Sequence, residues 1–81
     1  MKHWNNKNNY LHKTFTFIDF ESAINFMKQA SVQISILNHH PEWTNIYNKV
    51  EVKLTTHDAN NTITTKDNEL AAILDLVFEG F

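Results

Sequence analysis

Between Asp19 and Leu37 the apolar residues fall at helical spacing, and on both sides of that segment they alternate instead. Phe20, Ala23, Ile24, Met27, Ala30, Ile34 and Leu37 form one stripe at a period near 3.6, with Glu21, Asn25, Lys28 and Gln29 largely opposite. Phe26, Val32 and Ile36 add a second stripe, so this helix packs on a sheet and on something else. Asp19 stands where an N-cap belongs, its carboxylate placed to accept from the first free amides. Tyr10 to Phe17 reads as a half-buried strand, with Leu11, Phe15 and Phe17 on one face and His12, Thr14 and Thr16 on the other. One long helix set between period-two segments predicts an α+β domain, an antiparallel sheet with its helices on one face.

The single proline, Pro41, limits where that helix can end. It fixes its own φ and drives His40 out of helical geometry, so the helix stops near Leu37 or Asn38. Beyond it a second alternating run sets Ile46, Val50, Val52 and Leu54 against Tyr47, Lys49, Glu51 and Lys53, which reads as one central strand of about ten residues. His57 to Asn61 reads as a turn, followed by a further extended segment around Ile63. Thr64 and Asp67 have the spacing of a capping box, and Leu70, Ile73, Leu74, Val77, Phe78 and Phe81 give the second helix its buried face. At the other end, Met1 to Trp4 reads as a short edge strand and Asn5 to Asn9 as a polar turn.

The 81 residues make one domain, 1–81, with no linker or internal repeat. A chain of this size buries only about 60–65% of its unfolded surface and usually needs reinforcement. Cysteine is absent, which excludes disulfides and thiolate metal sites and leaves self-association as the route. A net charge of −2 argues against a nucleic-acid footprint. No apolar run reaches the ~20 residues of a membrane span, and the first residues lack a signal-peptide core, so the cytoplasm is the expected compartment.

Chemistry concentrates in Asn38-His39-His40-Pro41-Glu42-Trp43 and Thr55-Thr56-His57. His3 and His12 read as solvated strand residues. Three readings compete for His39, His40 and His57. Imidazoles bind zinc, but adjacent histidines on an extended segment point apart, and no acidic or sulfur ligand stands at helical spacing. Histidines also serve structurally, by pairing with backbone carbonyls. The third reading is metal-free acid/base catalysis, because the unperturbed imidazole titrates near neutrality.

The stretch Asn38 to Val50, followed by Thr55-Thr56-His57-Asp58 and Lys66-Asp67, resembles the pterin-4a-carbinolamine dehydratases. Phe15-Thr16-Phe17-Ile18-Asp19-Phe20, Ala23, Phe26 and Leu70-Ala71-Ala72 are also similar to that family, which extends the resemblance from about Trp4 to Val77. The resemblance implies a four-stranded antiparallel sheet with two main helices on one face, assembled as a homodimer or homotetramer. The N-terminal helix of many relatives is expected to be missing. It further implies dehydration of a 4a-hydroxytetrahydropterin to the quinonoid dihydropterin in pterin recycling, with no cofactor and no metal. The matched catalytic residues are His39, His40 and His57; His39 and His57 are expected to move protons and His40 to hold the pterin. Pro41 and Trp43 are expected as the apolar wall of the pocket, with Asp67 as the family's acidic position. At Ser35 many relatives carry a charged residue, and a hydroxyl there holds no negative charge beside the imidazoles, so weaker activity or an altered substrate is expected. The alternative implied by the family is a catalytically weak member kept as a protein-binding, dimerisation-cofactor-like module. Asn60-Asn61 replaces a glycine-rich turn, which asparagine tolerates.

Overall fold

Residues 3–81 are described by the computed structural model. In chain order the elements are β1 (Asn5–Lys7), β2 (Tyr10–Thr16), α1 (Phe20–Leu37), β3 (Glu42–Ile46), β4 (Lys49–Leu54), a 3-10 turn (His57–Ala59) and α2 (Thr65–Phe78). The strands form one antiparallel sheet in the order β1-β2-β4-β3.

The α+β class follows from the two periods. β2 and β4 pair Leu11 with Leu54 and Phe15 with Val50, so the apolar residues of both strands share one face. Both helices cover that face. α1 lays Ala23, Phe26, Ala30 and Ile34 on it, and α2 adds Leu70, Ala71 and Leu74. Phe15 joins the layers, its ring centroid 4.9 Å from Phe26 and 5.0 Å from Phe78. Asp19 caps α1 as expected, accepting the Ser22 amide at 2.8 Å. From the second stripe of α1, Phe26 is in the core, whereas Val32 and Ile36 are exposed.

Two expectations need correction. The alternating run after Pro41 is a hairpin, not one strand: β3 turns at Tyr47-Asn48 into β4. Tyr47 adopts a left-handed φ of 50°, and the Asn45 amide holds the turn by donating to the Tyr47 and Lys49 carbonyls. Ile46 therefore lies opposite Lys49 and is 71% exposed instead of joining Val50, Val52 and Leu54. At the start of the chain, β1 is Asn5–Lys7 and the turn is Asn8-Asn9 alone, both left-handed at φ 46° and 69°. Asparagine accommodates that geometry better than most residues. The strand expected over 1–4 falls partly outside the described residues; His3 and Trp4 themselves precede β1. The extended segment expected around Ile63 makes one strand-like contact, the antiparallel bridge between Thr62 and Thr56.

An inward position of β2 is taken by a charge. Lys13 lies between Leu11 and Phe15 on the core side, and its ammonium is 2.6 Å from Asp75 of α2. The Trp4 indole N–H donates to the same carboxylate at 3.0 and 3.1 Å, and Lys13 lies over the rings of Trp4 and Phe15.

Candidate functional site

Asn38 ends α1 in the left-handed region at φ 54°, its amide donating to the Ile34 and Ser35 carbonyls. That cap turns the chain, and Pro41 keeps the backbone extended into β3. Because β3 and β4 are antiparallel, the start of one lies beside the end of the other, with Glu42 opposite Lys53. His40 and Pro41 thereby come to Thr55 and His57, and the separated motifs of the sequence meet at one end of the sheet.

His39 is anchored first. Its Nε2 lies 2.7 Å from Oδ1 of Asp67, with the imidazole 11% exposed and the carboxylate fully buried. The other carboxylate oxygen, Oδ2, accepts from the Thr56 hydroxyl at 2.7 Å and from the Thr64 amide at 2.9 Å. The second contact is the carboxylate arm of the capping box expected at the start of α2. The Thr56 hydroxyl gives its one proton to Asp67, so at 2.6 Å it accepts from the Thr64 hydroxyl. Burial raises the Asp67 pKa, but the hydrogen bonds from His39, the Thr64 amide and the Thr56 hydroxyl, with the charge interaction with His39, outweigh it and hold it below the ordinary value. An ionised Asp67 only accepts. His39 therefore donates through Nε2–H, and when neutral it carries its lone pair on Nδ1.

His57 opens the 3-10 turn, and its Nδ1 is 2.7 Å from Oδ1 of Asn61. With the amide oxygen as acceptor, Nδ1 carries the proton and Nε2 the lone pair. Asn60 and Asn61 make this possible by taking left-handed φ values of 58° and 56°, the geometry expected of asparagine at this turn. His40 is exposed and has no side-chain hydrogen bond among the described residues.

Two adjoining clefts meet at His40, Thr55 and His57. The smaller, about 240 Å³, also reaches His39, Thr56, Asp58 and Lys66. The larger, about 390 Å³, is lined in addition by Pro41, Tyr10, Glu42 and Lys53. The structure thus brings together His39, His40, His57 and Pro41, with Asp67 directly behind His39. It does not bring Trp43 or Ser35 to either cleft. Trp43 lies opposite Val52, which turns it inward against the core, and Ser35 is exposed on the last turn of α1. No group of three or more His, Cys, Asp or Glu among the described residues is placed to hold a metal ion.

Nothing in the sequence marks Thr56, Asn61, Tyr10, Glu42 or Lys53 as a candidate site residue. The Thr-Thr-His triplet puts Thr56 beside a histidine but carries no sign of a carboxylate behind it. Asn61 has the sequence signature of a turn residue only.

The chain matches, over residues 1–77, the family described as Pterin 4 alpha carbinolamine dehydratase. Relatives from Solibacter usitatus and Opitutus terrae are 47% identical over 95% of this chain and 46% identical over 88% of it, covering 80% and 73% of their own lengths. Each of the two carries the name "Putative pterin-4-alpha-carbinolamine dehydratase". A crystal structure of a transcriptional coactivator/pterin dehydratase from Brucella melitensis superposes with a TM-score of 0.88 at 36% identity, over 94% of this chain and 82% of that one.

Proposed function

We infer the function from one premise: this chain belongs to the pterin-4a-carbinolamine dehydratase family. The reading best supported is dehydration of a 4a-hydroxytetrahydropterin by histidine acid/base catalysis. The observation that carries it is the set of three imidazoles at two joined clefts, two of them with one ring nitrogen committed to a fixed acceptor. The reaction needs only proton movement. The C4a–O bond breaks as the oxygen takes a proton and leaves as water, and a ring nitrogen gives up its proton to form the new double bond. His39 and His57 are the proton carriers in this reading, because Asp67 and Asn61 fix which nitrogen of each is basic. His40, exposed and unanchored, holds the substrate. Asp67 positions His39 instead of binding the pterin. The cytosol is the compartment this reading implies.

The test is dehydration of freshly generated 4a-hydroxytetrahydropterin, followed by absorbance with a chelator present. The expected result is clear acceleration over the spontaneous rate, lost in His39→Ala. A wild-type rate at background refutes the reading.

A second reading, a protein-binding module, is favoured by the outer face of α1, where Ile24, Val32 and Ile36 are exposed. The same face supports a homo-oligomer, the reinforcement a domain this small needs. Sedimentation of the wild type against Ile36→Glu tests that assembly; an unchanged mass rules out this face.

A further inference from the structure

The larger cleft continues past His40 and His57 onto the face of the sheet that no helix covers, and Tyr10, Glu42 and Lys53 line it there. None of the three has a part in the proton movement proposed above. They share that face because Leu11, Val52 and Leu54, their strand neighbours, point into the core. Glu42 and Lys53 are direct partners across β3 and β4. Residues so paired have Cβ atoms about 5 Å apart, close enough for ammonium and carboxylate to meet. They do not meet: no ion pair joins them within 4.0 Å, and the Lys53 ammonium instead lies 5.2 Å over the Tyr10 ring. The rim of the cleft therefore holds a donor and an acceptor side by side, each unspent on the other, next to an aromatic face.

We propose that Glu42, Lys53 and Tyr10 recognise the 2-amino-4-oxopyrimidine edge of the substrate. This deepens the dehydratase reading and rests on it. The edge presents a carbonyl, a ring N–H and an amino group in sequence, which is acceptor, donor, donor. Lys53 donates to the carbonyl at C4, Glu42 accepts from the ring N–H and the 2-amino group, and Tyr10 gives the bicycle a face. C4a is bonded to C4, so holding that carbonyl fixes the reacting carbon near His40 and His57 in the same cleft. A volume of about 390 Å³ suits a bicycle of this size. Glu42 also sets the specificity: an analogue with oxygen at C2 turns an acceptor toward the carboxylate and is rejected.

The experiment is fluorescence titration with pterin and with lumazine, its 2-oxo analogue, alongside KM for 4a-hydroxytetrahydropterin. Wild type, Glu42→Gln, Lys53→Met and the control Lys49→Met, on the same strand outside this cleft, are compared. Wild type is expected to prefer pterin by about tenfold or more, the value of a charge-assisted hydrogen bond. Glu42→Gln removes most of that preference. Lys53→Met weakens both ligands together, since both carry the C4 carbonyl, and raises KM. Lys49→Met changes neither. Normal turnover with unaltered KM and unaltered preference in Glu42→Gln and Lys53→Met overturns this proposal and leaves the dehydratase reading standing. Failure of the wild type to accelerate dehydration overturns the dehydratase reading, and this proposal with it; acceleration without a preference for pterin over lumazine overturns this proposal alone.

Discussion

Two carboxylates of α2 each hold a basic side chain at the edge of a cavity, and their chemistry is opposite. Asp67, at the start of the helix, holds His39; Asp75, two turns later, holds Lys13. The cleft beside His39 is about 240 Å³ and the one beside Lys13 and Asp75 about 410 Å³. Volume therefore does not mark the candidate site. What differs is the state of the protons. Lys13 and Asp75 satisfy each other as opposite charges, with the Trp4 indole completing the carboxylate. His39, by contrast, gives one nitrogen to Asp67 and keeps a basic one, the arrangement that the proposed proton transfer uses. The Lys13–Asp75 pair ties the chain's beginning to its last helix; the His39–Asp67 pair orients an imidazole.

The sharpest way to break that contrast is to delete both basic partners. His39→Ala is expected to lower kcat at least ~100-fold, the usual range for a general acid/base. Its fold should persist, because Asp67 keeps its Thr56 and Thr64 donors. Lys13→Met is expected to do the reverse. It leaves the partly exposed Asp75 carboxylate without its cation but with the Trp4 donor, costs about 2 kcal/mol of stability by denaturant titration, and leaves kcat per folded molecule unchanged. Lost activity in folded Lys13→Met would make the second cavity part of the site and end the distinction.

Asp67→Asn sharpens the comparison at a smaller scale. The Thr56 and Thr64 donors both point at Oδ2, so an amide nitrogen cannot replace it there without leaving a donor unpaired. Flipping the amide puts that nitrogen against His39 and forces the other tautomer. A loss in kcat of roughly tenfold with little change in KM is expected. Equal loss in KM would mean that Asp67 contacts substrate directly. Thr56→Val removes one donor only and should cost a few-fold in kcat, because His39 and the Thr64 amide still hold the carboxylate.

The two halves of this contrast were unequally legible in the sequence. The histidines announced themselves by spacing, and Thr64 with Asp67 by the capping pattern. Both signals are local. α1 was legible from Asp19 to Asn38 for the same reason. The hairpin was not, because Tyr47-Asn48 contains no glycine and alternation runs through it; Ile46 has the parity of Val50 but sits on another strand. Lys13 was hidden by its charge at an inward position of β2, since only the distant Trp4 and Asp75 make its burial tolerable. The Thr56 contact to Asp67 and the rim residues Tyr10, Glu42 and Lys53 are likewise products of sheet register, which no short window contains. For Trp43 and Ser35 the family resemblance names residues without giving the direction of their side chains, and neither lines a histidine cleft.

The smallest effect expected is in the pH dependence of stability. The hydrogen bonds of Asp67 hold its folded-state pKa below that of an ordinary aspartate, despite its burial. Folding therefore binds the ionised form more tightly than the unfolded chain does. The resulting stability is fully present above the unfolded value, near 3.8, and is lost as pH falls through the lower folded value. The difference in unfolding free energy between wild type and Asp67→Asn should shrink as the pH falls below about 4. Urea titrations across that range measure it. A wild-type advantage over Asp67→Asn that grew as the pH fell below about 4 would mean that Asp67 is neutral in the folded protein. His39 would then lose the fixed acceptor on which its assignment as a proton carrier depends.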